Sequence, residues 1–398
     1  MTNRLVGADS APAVDIDRLG DERRERVLDL MEARRVDALV LGREANARYA
    51  TGLRRLPVSG SRPFAPSTVL TRADRGVRML SGLDYDVPAG TRPECCIATS
   101  WDPEVMATSL GDIGSLASAK CVAVDFVSPQ WRERLGRVAP AATFVDANPL
   151  MLTARMTKTR SEVACIRAAV GVAESSLVAA LGAVRPGRTE RETLGAFATR
   201  MGQHGFPAAS MEGICTVMSS DRPGPGFTRI AGNRRIAGGD LVAVGGGVLV
   251  AGYEGAVGRT TSCGRFRGSA DLEAVELVQR WQQLWARLER ALRPGSSGAD
   301  LCRAHTSAGV ELPGFPIALS VGLGVEPPVA GTSLGPEFDD QWRFGPGMVL
   351  QVQSYISGRR AGYFALETVL ITDDGPELLS TLGHATTWPR FPADEVVT

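Results

Sequence analysis

One stretch limits the possible folds more than any other: Gly239 to Thr260, GDLVAVGGGVLVAGYEGAVGRT. Its apolar run, LVAVGGGVLVAGY, reads as strand, and the three consecutive glycines sit in the middle of it. A glycine triplet invites a phosphate-loop reading. No Lys-Ser/Thr pair and no helix follow it, so that reading lacks its chemistry. Glycines inside a strand instead let a hairpin bend closely past a cleft. The fold must therefore carry a buried hairpin, with strands and helices enough to enclose it.

The rest of the chain is long enough to do so. At 398 residues, two domains are expected. The 44 acidic and 44 basic residues cancel, so no broad charged field draws the chain to nucleic acid or to a membrane. No run approaches 18 consecutive apolar residues, and the N-terminus lacks a signal-peptide core, so a cytoplasmic protein without a transmembrane helix is expected. The 7 cysteines have no framework spacing and read as reduced thiols. Neither a CxxC pair nor an HExxH motif is present, so local zinc signatures are absent.

Along the chain, ERRERVLDLMEARR (22–35) has helical spacing and VDALVLG (36–42) reads as a buried strand. TVLTRADRGVRMLSG (68–82) reads as a hairpin and CVAVDF (121–126) as another strand. This α/β part ends within 146–162, where longer amphipathic helices take over. One covers EVACIRAAVGVAESSLVAAL. The next opens on Thr189 and Glu192 as a capping box. A third runs from about Asp271 to Leu292, with Leu272, Val275, Val278, Trp281, Trp285 and Leu288 expected on its core side. LVAVGGGVLVAGY, SVGLGV, MVLQVQSYI and FALETVLIT are the strand candidates of this part, giving an α+β unit with a mostly antiparallel sheet.

These features together resemble the creatinase/prolidase/aminopeptidase P family. NARYATG (46–52) is similar to its N-x-x-Y-x-T-G turn, RMTKTRSEVACIRAA (155–169) to its entry helix, and RPGRTERE (185–192) to its P-G-x-T-E segment. Gly239-Asp240, Gly252-Tyr253, Arg259-Thr260, Gly322-Leu323 and Gly347-Met348 match landmarks of its catalytic half. The resemblance implies a creatinase N-terminal-like α/β domain over 1–156. It implies an α+β pita-bread domain (creatinase/aminopeptidase-like) over 157–398, and a homodimer.

In the family's peptidases two Asp, one His and two Glu hold a pair of divalent metals. Counted from the landmarks, those positions hold Gly245, Ala256, Leu319 and Gln353. At the fifth, Glu367 either keeps the ligand position or falls one residue past it. Counting back from Ile371-Thr372 puts Leu366 there, and on a strand one residue changes the face. Such a set cannot hold two hard cations, so no metal and no other cofactor is expected. Creatinase, a metal-free precedent, shares Ala256. However, its histidine position is Thr228 here and its glutamate position is Gly258.

The resulting expectation is a metal-independent enzyme acting on a small organic substrate, by acid/base work on a C–N or C–O bond or by a rearrangement or cyclisation. Glu254, Gln353, Tyr355 and Glu367 are its candidate catalytic residues. Thr228, Gly245, Tyr253, Ala256, Leu319, Glu326 and Leu366 would line the substrate site. A non-catalytic pseudo-peptidase binding a ligand or partner is the alternative. An Xaa-Pro peptidase ranks last, because the counted positions lack its ligands.

Overall fold

The structure is a computed structural model that describes residues 4–5, 14–52, 68–80, 92–97, 100, 102–125, 128–206, 209–218, 227–264, 269–332, 334–359 and 361–382. The chain divides into two compact units, Met1–Leu5 with Val14–Ser161, and Val6–Ala13 with Glu162–Thr398.

In chain order the first unit comprises β1 (Arg4–Leu5), β2 (Val14–Asp15), α1 (Ile16–Ala33), β3 (Ala38–Leu41), α2 (Glu44–Thr51), β4 (Thr68–Thr71) and β5 (Gly76–Leu80). There follow β6 (Cys96–Ile97), α3 (Pro103–Gly111), α4 (Gly114–Ala117), β7 (Cys121–Val124), α5 (Pro129–Val138), β8 (Thr143–Asp146) and α6 (Asn148–Met156). Its six-stranded sheet runs β6-β5-β4-β3-β7-β8 and mixes parallel with antiparallel pairs. Val40, Val69, Leu110, Val122 and Trp131 meet in one core. The expected β4–β5 hairpin forms, antiparallel from Thr68–Met79 to Thr71–Gly76.

The NARYATG turn has a structural explanation. The Asn46 amide donates to Asp125 Oδ2 at 2.6 Å, and its oxygen accepts from Arg155 at 2.8 Å. Tyr49 donates its hydroxyl to Ala154 O at 2.9 Å, and Gly52 ends α2 at φ 78°. A positive φ is open to glycine without a Cβ clash.

The second unit comprises α7 (Arg160–Gly182), α8 (Glu190–Gln203), β9 (Ile214–Met218), β10 (Leu241–Val250), β11 (Tyr253–Ser262), α9 (Ser269–Ala291) and α10 (Gly298–Thr306). After these come β12 (Ala318–Gly322), β13 (Gly324–Ala330), α11 (Pro336–Asp339), β14 (Val349–Ser357), β15 (Gly362–Thr372) and β16 (Gly375–Leu378). Its eight strands run β13-β12-β14-β15-β11-β10-β9, with β16 on β15, and every pair is antiparallel.

Between β11 and β15 the ladder narrows to one pair, Gly258 opposite Leu366. Side-chain hydroxyls take over beside it: Thr368 donates to Ala256 O at 2.8 Å and Thr260 to Phe364 O at 2.8 Å. Two halves of the sheet are thus hinged on hydroxyls where backbone bonds stop, and the backbone polar groups remain satisfied.

The Thr189/Glu192 capping box forms as expected, and Ser297/Asp300 make a second one at the start of α10. Two expectations need correction. SVGLGV is not one strand but the tip of the β12–β13 hairpin, with Gly322 opposite Gly324. In α9, Leu272 and Val275 are exposed, whereas Ala274, Leu277, Trp281, Leu284 and Leu288 are buried. Val278, Trp281, Trp285 and Leu288 are buried as expected, so the expected stripe holds from Val278 onward and is widened by Ala274, Leu277 and Leu284.

All 7 cysteines are free. Helix α7 is long and apolar enough to cross a membrane by composition, with a mean hydropathy of 1.6 over an 18-residue window. Most of that window is buried inside the second unit.

Candidate functional site

Strand pleating sorts the sheet's side chains onto two faces. Gly245 lies opposite Gly258, Gly247 opposite Ala256, and Leu249 opposite Glu254. Leu366 pairs with both Gly258 and Gln353, Thr368 with Gln351, Phe364 with Tyr355, and Gln351 with Leu319. Directly opposed residues share a face, so these positions form one surface, here the site face.

The alternate residues face the helices. A Cβ on Gly255 would strike Val170 N of α7 at 2.5 Å, and one on Gly246 would meet the Phe197 ring of α8 at 2.7 Å. Tyr363 packs on Trp281 of α9, with ring centroids 5.7 Å apart. His305 of α10 bonds Ser354 Oγ at 2.7 Å.

This sorting settles where each expected residue lies. Gly245, Ala256, Leu319, Gln353 and Leu366 are gathered on the site face, as are Glu254 and Tyr355. Glu367 is not: it is fully buried on the helix-covered face, ion-paired with Arg259 at 2.6 Å and accepting from Ser380 Oγ at 2.8 Å. Its candidacy as an acid or base in the cleft is corrected for that reason. Burial pushes its carboxyl upward, and the Arg259 guanidinium opposes the push.

Tyr253 is corrected likewise. It is fully buried and donates to Glu162 Oε1 of α7 at 2.9 Å, away from any substrate. Glu326 is buried opposite Ser320, one residue out of step with Leu319 across a register irregularity, and does not join the group. Thr228 stands beyond the β9 edge, its hydroxyl donating to Ile230 O at 3.3 Å.

Space over the glycines is filled by aromatic rings. A Cβ on Gly258 would lie 2.7 Å from the Phe364 ring, and one on Gly245 3.4 Å from it. Phe227 stacks on Phe364 at 4.9 Å and on Tyr355 at 4.7 Å, with Phe315 at 5.8 Å. Gln353 is held beside them, its amide donating to Pro316 O at 2.9 Å and its oxygen accepting from Arg229 at 3.3 Å.

Glu254 and Glu367 are the only carboxylates on β10, β11, β14 and β15, and only Glu254 has the site-face parity. Gln351 donates to Glu254 Oε1 at 2.9 Å, and Ser210 donates to the same oxygen at 3.2 Å. Burial raises the Glu254 carboxyl above its usual range, and these two bonds oppose the rise. Gly247 leaves the room that the Ser210 hydroxyl occupies, since a Cβ there would collide with it.

Sequence reasoning missed Ser210, Gln351, Arg229 and the ring cluster. Gln351 was within reach, two residues before Gln353 on the same strand. Ser210 and Arg229 lie in irregular segments, where no period announces a face.

This two-unit build is shared with known proteins. Residues 164–373 match the model of metallopeptidase family M24, and residues 23–157 match that of the creatinase/prolidase N-terminal domain. The chain belongs to metallopeptidase family M24, with an α/β creatinase-type first domain and a pita-bread second domain.

An Xaa-Pro dipeptidase of Pyrococcus horikoshii is 22% identical over 364 residues, covering 90% of this chain and 97% of that protein. An uncharacterized hydrolase/peptidase of Sinorhizobium fredii is 26% identical over 372 residues, covering 87% and 90%. Among solved structures, the prolidase from Pyrococcus horikoshii OT3 superposes with a TM-score of 0.69 at 18% identity, covering 92% of this chain and 100% of that one. The X-Pro aminopeptidase from Thermotoga maritima MSB8 does so at 0.69 and 17%, covering 91% and 98%.

These relatives overturn the expectation of a metal-independent enzyme outside peptide chemistry: full-length relatives are named as Xaa-Pro dipeptidases. The family's two-metal centre does not fit the residues present. Its implied positions hold Gly245, Ala256, Leu319, Gln353 and Leu366, which offer a single carboxamide. Among the described residues, no group of three His, Cys, Asp or Glu stands ready to hold a metal ion.

Proposed function

We propose that this chain acts on short peptides of the Xaa-Pro type, received on the site face of its second unit. The observation that carries this reading is the likeness to an Xaa-Pro dipeptidase over 90% of the chain. A cytoplasmic location belongs to the same proposal.

The chain's own groups define what chemistry is available. Among the described residues Gln351 and Ser210 donate only to Oε1 of Glu254, so Oε2 takes or gives the proton in this reading. A carboxyl raised above its usual range by burial suits general acid/base work. In hydrolysis of an Xaa-Pro bond, the C–N bond breaks, hydroxide adds to the acyl carbon, and the imide nitrogen gains a proton. In this reading Glu254 moves that proton, and the Gln353 carboxamide, held by Pro316, directs a substrate carbonyl or amide.

The test is release of proline from Ala-Pro, followed by chromatography, with and without added Mn²⁺, Co²⁺ or Zn²⁺. Proline release that falls by about 100-fold or more in Glu254→Gln is the expected result. A wild-type protein that releases none under any of these conditions overturns the hydrolytic reading. Calorimetry with Ala-Pro then tells whether the peptide is still recognised.

A further inference from the structure

Beyond peptide turnover, we propose that Arg229 anchors the carboxylate of a small ligand with an apolar body, in a cavity beside the site face. The cavity has a volume of about 530 Å³ and is lined by Arg229 with Glu190, Thr216, Thr228, Ile230 and Asn233 among others. It goes beyond the peptide reading, with which it shares Gln353.

The guanidinium of Arg229 is half-buried, yet no carboxylate pairs with it among the described residues. Its one polar partner is the neutral oxygen of Gln353 at 3.3 Å, and its other contact is the Phe315 ring, 5.1 Å from the ring centroid. Gln353 cannot turn away to serve another donor, because Pro316 O holds its amide nitrogen. A guanidinium carries five N–H donors in a planar fork. Most of that fork is therefore unspent, and burying a cation without a counter-charge is costly.

The neighbouring acid does not supply that counter-charge. Both Glu190 oxygens are taken by backbone donors, Oε1 by Val217 N and Oε2 by Gly232 N, each at 2.7 Å. Burial lowers the Arg229 pKa, and no charged neighbour offsets it. The two cavity threonines are engaged with each other and with Ile230 O. What remains open is a planar, bidentate donor pair against aromatic rings, the geometry that matches a carboxylate rather than a point charge. Val217 and Ile230, which line the same cavity, give an apolar body its surface.

Calorimetric titration of the full chain with benzoate and with benzamide tests this. Benzoate binding at least about 10-fold tighter than benzamide is expected, the worth of a charge-assisted hydrogen-bond pair. Arg229→Gln should abolish the preference by weakening benzoate alone, and Arg229→Lys should keep part of it. Equal binding of the two probes by the wild type, absence of benzoate binding, or a preference that survives Arg229→Gln overturns the proposal. If Arg229→Gln fails to fold, the wild-type preference and the lysine variant decide. Ala-Pro turnover is read separately, so the two readings fail independently.

Discussion

The two faces of the central sheet carry the same residue type to opposite ends. Glu367 and Glu254 are both buried on neighbouring strands, 0% and 7% exposed. Glu367 meets a guanidinium and becomes part of the frame. Among the described residues Glu254 meets only a carboxamide and a hydroxyl, both on Oε1. The difference lies in what covers each face. Helices α7 to α10 close one face with matched partners, while irregular segments bring the Ser210 hydroxyl and the Arg229 guanidinium to the other. Variants on the helix-covered face should therefore fail in stability, and variants on the site face in chemistry.

The sharpest way to break this contrast is to remove one half of the Arg259–Glu367 pair. Glu367→Gln should cost about 3–5 kcal/mol in urea unfolding, because Arg259 is left as a buried cation. The double variant Arg259→Met/Glu367→Leu should cost less than the sum of the single ones, since it leaves no charge stranded. A Glu367→Gln protein with wild-type stability and lost turnover would reverse the assignment of the two faces.

His305 offers the next largest effect. It is fully buried, with Nδ1 on Val310 O at 3.2 Å, and burial lowers its pKa from the ordinary 6.5 to about 4. The folded state thus holds the neutral ring while the unfolded chain takes up a proton. Stability is full above pH 6.5 and falls as pH drops toward 4, by on the order of 2–3 kcal/mol. Thermal melts between pH 7 and 4 should show the fall in the wild type and a shallower one in His305→Gln.

Tyr253→Phe removes the hydroxyl that reaches Glu162 and should cost about 1–3 kcal/mol with turnover unaltered once folded. Loss of turnover in a stable Tyr253→Phe protein would return Tyr253 to the site.

Glu254→Gln should have the smallest effect on stability, within about 1 kcal/mol of the wild type at neutral pH. The sign is informative. The folded carboxyl titrates above its ordinary 4.5, so its favourable contribution is complete below that value and declines as pH rises. The glutamine variant should gain on the wild type as pH increases from 5 to 8 in paired denaturation curves.

Much of the scaffold was legible because its signals are local or periodic. The capping box, the β4–β5 hairpin and the glycine landmarks each declare themselves within a few residues. Strand parity carried the site some way further: Gln353 and Tyr355 share a face as alternation requires, and counting back to Leu366 agrees with its place opposite Gln353. What escaped depends on contacts distant in sequence. Glu254 meets Gln351 across 97 residues and Arg229 meets Gln353 across 124. No single-strand period encodes the register that joins them. The misplacement of Leu272 and Val275 has a similar origin, since only packing decides where an amphipathic helix begins to bury its stripe.

The Phe364 ring resting on Gly245 and Gly258 makes the present state hard to undo by single steps. A Cβ at position 245 would already touch the ring, at 3.4 Å, and the Gly258 backbone at 3.3 Å. At Gly258, where a Cβ would lie 2.7 Å from the same ring, any side chain would first need a smaller residue at 364, and that change alone opens a cavity in a fully buried core position. Each single step is disfavoured while only the pair is compatible. Packing here acts as a ratchet on the history of the sequence, holding the site face in its present chemistry.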